Sequence, residues 1–152
     1  MKTLALYFGL FAIAISAAEL DINTHRHIHY CYLNGMRYAF AISDARFSKM
    51  RQWNPTSDAQ PPVTPKRALE LARKRLDTIK IPPNFGWKLE SIALEPVRAS
   101  NFLAQDEKWM YVVNFRYHNN SVMTGVWPTM DFIITMDDEL IEPIIDKEKP
   151  NR

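Results

Sequence analysis

The chain has 152 residues, with 19 Lys and Arg against 17 Asp and Glu, a formal net charge of +2, 47% hydrophobic residues and one cysteine. So even a charge balance supplies no broad field for capturing nucleic acid or an anionic membrane, and a lone cysteine excludes an intramolecular disulfide. The length suits one domain with a hydrophobic core of its own and argues against two.

At the amino terminus Lys2 precedes an apolar run from Leu4 to Ile15, followed by Ser16, Ala17 and Ala18. This reads as a secretory signal peptide over residues 1–18, cleaved after Ala18. A retained anchor needs about 17 to 25 apolar residues, which this run does not supply. The expectation is an exported protein, periplasmic or secreted, with a single α+β domain over residues 19–145 and a frayed charged tail over residues 146–152.

Beyond the leader, "HRHIHYC" over residues 25–31 sets His25, His27, His29 and Cys31 at alternate positions. In a β-strand that spacing puts four candidate metal ligands on one side. Ile28, Tyr30 and Tyr32 alternate with them, Asn34-Gly35 follows, and Met36, Tyr38, Phe40 and Ile42 continue the pattern, a strong hairpin signal. A two-residue loop would place His29 opposite Phe40 and Cys31 opposite Tyr38. A three-residue loop over Leu33, Asn34 and Gly35, with Gly35 in a bulge, pairs Tyr32 with Met36, Tyr30 with Tyr38 and Ile28 with Phe40. The second register segregates large apolar side chains from the histidines, so it is the one expected.

Residues 43–63 show no clean period. Phe47, Met50 and Trp53 are read as anchors docking this excursion onto the domain, with a short helical turn around Ala45 to Met50. A helix is expected from Thr64, whose hydroxyl can cap free amides, with Pro65 in the first turn. Its stripe is Ala68, Leu69, Ala72, Leu76 and Ile79, and Pro82 and Pro83 stop it. Its other side is basic, partly offset by Glu70 and Asp77, and reads as a solvated face.

From Gly86 onward the pattern is strand. "WKLESIALEPV" changes phase between Leu89 and Ile92, which places a bulge near Glu90 and Ser91. "WMYVVNFRYH" puts Trp109, Tyr111, Val113, Phe115 and Tyr117 on one face. "DFIITM" leads through Asp137 and Asp138 to "LIEPII", a second hairpin whose Pro143 requires an edge or interrupted strand. The expected architecture is α+β: an N-terminal β-hairpin, then one main helix packed on a curled antiparallel sheet whose opposite face stays open.

The segments "TPKRALELARKRL", "WKLESIAL", "KWMYVVNFRY" and "DFIITMDDELIEPII" together resemble the PepSY-like group of small exported bacterial domains, over about residues 61–145. The resemblance implies an envelope protein, an inhibitory or ligand-binding module, with no catalytic residue to carry over. The cystatin-like fold is the nearest structural alternative.

No Gly-rich phosphate loop, paired-histidine helix or nucleophile elbow occurs in the sequence, and nothing supplies an oxyanion hole beside Cys31. The reading is therefore not an enzyme but a non-catalytic module binding a protein or peptide partner, with Trp53 and Trp127 as contact residues. The alternative is a transition-metal binder holding Cu or Zn on His25, His27, His29 and Cys31, with His118 as a further ligand. Asp137, Asp138 and Glu139 are read as turn formers rather than a carboxylate pair for catalysis.

Overall fold

A computed structural model describes residues 25–97, 108–119 and 128–147. The leader over residues 1–18, the 98–107 connection, Trp127 and residues 148–152 lie outside them. Among the described residues no helix is long and apolar enough to cross a membrane.

Strands β1 (His25–Leu33) and β2 (Met36–Ser43) pair antiparallel with Leu33 opposite Met36, Cys31 opposite Tyr38 and His29 opposite Phe40. The loop is thus the two-residue one. Asn34 has φ 53° and Gly35 φ 70°, so both central residues are left-handed. That is type I′ geometry, whose twist matches the flanking strands, and it displaces the bulged loop expected above. Side-chain segregation misjudged the faces because Cys31 and Leu33 bury well, whereas tyrosine tolerates water at its hydroxyl end.

Ser43 then caps a short helix, α1 (Asp44–Lys49), its side chain accepting from Arg46 N at 3.2 Å. Phe47, Met50 and Trp53 are buried, as anchors should be. Helix α2 (Pro65–Leu76) starts as expected, with Thr64 Oγ1 accepting from Arg67 N at 3.2 Å. It ends at Leu76, well before the prolines. There the Thr78 hydroxyl donates to Arg75 O at 2.7 Å, and Thr78 N and Ile79 N donate three residues back, tightening the chain out of the helix. Ala68, Ala72 and Leu76 are buried where α2 lies against the sheet.

Strands β3 (Phe85–Pro96), β4 (Trp109–Asn119) and β5 (Thr129–Thr135) form one antiparallel sheet in the order β3-β4-β5. Its register shifts between Leu89 and Ser91, so the expected bulge is present. Tyr111, Val113, Phe115 and Tyr117 are buried on the expected face of β4. Met110, Val112, Ile133 and Thr135 on the other face are buried too, so the face expected to stay open is closed over this half.

Strand β6 (Ile144–Lys147) joins the hairpin in a second sheet of order β1-β2-β6. The single curled sheet of the sequence reading is therefore two three-stranded antiparallel sheets in a mixed α+β chain. The carboxy-terminal segment links them: Ile141 N donates to Ile133 O at 2.9 Å and Leu140 bridges Ile134, after which the chain passes Pro143 and pairs with β2. Pro143 has no amide to donate, so the ladder on β5 stops there. Asp146 and Lys147, assigned above to a frayed tail, are strand residues opposite Arg37 and Met36.

Candidate functional site

The ribbon formed by β1 and β2 carries the residues the sequence singles out, and its two faces differ in chemistry. Directly opposed residues in an antiparallel pair share a face. His29, Cys31 and Leu33 therefore share the inner face with Phe40 and Tyr38. Tyr30 and Tyr32 share the outer face with Ala39 and Arg37.

On the inner face Cys31 is 3% exposed, and its sulfur accepts the N–H of Asp131 at 3.1 Å. Asp131 lies on β5, the outer strand of its sheet. On the same edge Thr135 N donates to Glu139 O and Ile133 O accepts from Ile141 N, so the thiol takes up the next outward donor of the row. Burial pushes the Cys31 thiol up to about 11, the amide bond works against that shift, and the nearby Asp131 carboxylate adds to it. At neutral pH this is a protonated, enclosed thiol, the opposite of an activated nucleophile.

His29 Nδ1 lies 3.2 Å from Asp131 Oδ2, and Asn114 Nδ2 donates to the other carboxylate oxygen. Burial raises the Asp131 carboxyl, but the hydrogen bonds from His29 and Asn114 outweigh it and hold the group below the usual carboxylate range. Cys31, His29, Asn114 and Asp131 together seam the ribbon to the second sheet. Sequence reasoning missed Asn114 and Asp131, because the seam spans about a hundred residues of chain; the only local signal was one acid inside the apolar run "DFIIT".

Of the proposed metal ligands, His25 and His29 do not share a face. The register shifts between Arg26 and Ile28, so a bulge at His27 interrupts the alternation. Arg26 pairs with the fully buried Ile42, which puts His25 on the outer face and His29 on the inner one. Arg26 itself reaches over the Phe47 ring at 3.9 Å and bonds Asp44. His118 stands on β4 against Gly86, where a Cβ would come within 3.0 Å of its ring. Among the described residues no three His, Cys, Asp or Glu side chains are grouped to hold a metal ion.

Trp53 is 6% exposed and packs edge-on to Trp109 at 6.0 Å, so it is an anchor and not a contact offered to a partner. Trp127 lies outside the described residues. Asp137, Asp138 and Glu139 form a turn, with Asp138 at φ 63°. Each also ties down another segment: Asp137 accepts from Arg51 N at 3.0 Å, Asp138 holds Arg67 Nε at 2.8 Å, and Glu139 pairs with Arg46 at 2.6 Å. A shallow cleft of about 540 Å³ lies beside this turn, lined by Ser43, Arg46, Lys49, Met50, Asp137 and Glu139. Within it Arg46 already pairs with Glu139, and Asp137 is taken up by the Arg51 N–H.

The outer face is the better candidate. Tyr30 and Tyr32 are 43% and 46% exposed, the largest exposures among the described big hydrophobic side chains apart from Ile145 at 44%. Arg37 lies between the tyrosines and β6. Its Nε donates to Asp146 Oδ1 at 3.0 Å, its other arm bonds the second oxygen, and its guanidinium sits 5.5 Å from the centre of the Tyr30 ring. The Asp146 hydrogen bonds raise the Arg37 pKa further above its already high value, so the charge is permanent. Two aromatic rings and a fixed cation thus stand side by side on a rigid ladder. The signal was present in "YCY" and "MRY", but it required the two-residue register to be read as an exposed face.

Compared with protein-family models, with curated proteins and with solved structures, the chain matches none of them.

Proposed function

We propose that the protein is a non-catalytic exported module, of PepSY-like or cystatin-like build, that binds a protein or peptide partner through the outer face of its amino-terminal ribbon. The observation that carries this reading is the pair Tyr30 and Tyr32, about half exposed on one strand face beside an Arg37 already oriented by Asp146. Tyrosine and arginine dominate the energetics of protein interfaces, because each buries a large area with few rotors to freeze and carries a polar end. Holding Arg37 in place beforehand removes part of the ordering cost of association. The protonated, enclosed Cys31 supports a non-catalytic role for the inner face.

The test is capture of envelope or secreted proteins on the purified protein, followed by calorimetry with the captured partner. Tyr30→Ala/Tyr32→Ala should weaken binding by about tenfold or more, the loss typical of removing interface anchors, with the melting temperature little changed. A double variant that captures the same proteins with unchanged affinity would reject this face as the binding site.

A further inference from the structure

The outer strand of the second sheet, β3, pairs with β4 alone among the described residues, and it is 12 residues long. Its backbone polarity can be read from two bonds. Val97 N donates to Lys108 O at 2.8 Å, so Val97 and, by alternation, Glu95, Ala93 and Ser91 turn their amides toward β4. Tyr117 N donates to Pro128 O at 2.9 Å, so the odd residues of β4 bond toward β5 and leave their mates on β3 unengaged. The residues whose N–H and C=O face outward are therefore Trp87, Leu89, Ile92 and Leu94. Their side chains all lie on the face of Tyr111 and Phe115. Trp87, Leu89 and Ile92 are half-buried there and Leu94 is 37% exposed. Among the described residues, an unpaired backbone edge and a partly wet apolar strip thus coincide on the same positions.

We propose that this edge is completed by a second copy of the chain, added antiparallel about a two-fold axis at Ile92. Ile92 then faces Ile92 of the second copy, Leu94 faces Leu89, Ala93 faces Ser91 and Glu95 faces Lys88. The extra residue Glu90 of each copy falls across from Ala93 of the other, so the two bulges are absorbed symmetrically. In this register every outward amide meets an outward carbonyl, Ile92 and Leu94 meet Ile92 and Leu89, and Glu95 meets Lys88. A slip by one residue would break all three matches. Pro96, which lacks an N–H, ends the ladder at each end. The contact closes on itself and does not propagate, because the opposite edge of the sheet is already occupied by Ile141 and Cys31.

Sedimentation velocity over a concentration series tests the pairing. Dimer is expected, and Lys88→Glu or Glu95→Lys alone should each raise the dissociation constant by about tenfold, while the double exchange restores it to within about threefold. Leu94→Lys, at a side chain the monomer leaves partly in water, should abolish the dimer while leaving the melting temperature within a few degrees. A chain that stays monomeric up to about 0.5 mM, weaker than any affinity this pairing should give, would overturn the proposal. So would a dimer indifferent to the single exchanges, or a double exchange no tighter than the singles.

Discussion

Cys31 donates no chemistry outward; its sulfur accepts an amide from a neighbouring strand, and burial keeps it protonated. A water-soluble thiol reagent at about pH 8, near the pKa of a free cysteine, should therefore leave the folded protein unlabelled and label it fully in urea. Rapid labelling of the native protein would mean that the sulfur is accessible. Asp131, beside it, responds to acid. Its folded pKa is depressed, so its contribution to stability is fully present above the ordinary carboxylate value of about 4 and is lost as pH falls through the folded value. Asp131→Asn should cost about 1 to 3 kcal/mol at neutral pH, since His29 and Asn114 lose a charged acceptor. Urea unfolding at a series of pH values should show the gap between wild type and variant narrowing on acidification. A gap that widens would put the sign of this coupling in error.

At the scale of elements, local signals were legible and distant ones were not. The Thr64 cap, Pro65 in the first turn, the β3 bulge and the buried face of β4 all follow from residues within one turn or one ladder, and all are found. The hairpin register was not, although Asn34-Gly35 announced its own turn, because the choice of face is settled by contacts with β5 some 102 residues away. That His25 and His29 fall on opposite faces has a similar reason: the register shift between Arg26 and Ile28 has no local marker in a strand of alternating histidines. Helix α1 owes its end to another remote residue. Lys108 is 6% exposed, donates to Phe47 O and, at 3.1 Å, to Ser48 O, and lies 4.6 Å from the Phe47 ring. It gives Ser48 O a donor at the helix end and adds a second donor to Phe47 O, which also accepts from Met50 N at 3.1 Å. Lys108→Met keeps the stem and removes the donors. It should cost about 1 to 3 kcal/mol, the range for unsatisfied buried polar groups, and speed hydrogen exchange in α1 before the rest of the chain.

For the whole molecule, the turn at Asp137 to Glu139 acts as a hub. It binds α1 through Arg46, the following segment through Arg51 N, and α2 through Arg67, while Glu142 adds a pair with Arg75 at 2.8 Å. These groups are exposed, so each bond is weak alone and screened by salt. What the turn controls is where the 51–62 segment rests. Asp137→Ala should leave the global melting temperature within a few degrees and accelerate proteolytic cutting between residues 51 and 62. Equal cutting in variant and wild type would show that Trp53 and Val63, both buried, hold the segment unaided.

Strand β6 has a consequence for the order of events during synthesis. The hairpin of β1 and β2 is made before residues 144–147, which cover one of its edges, and Asp146 follows Arg37 by 109 positions. Closure over so long a loop is slow, because the chain entropy is lost before the contacts form. The first sheet is therefore completed only once residues 144–147 have been made, and a product interrupted before them keeps an unpaired ribbon edge exposed to aggregation.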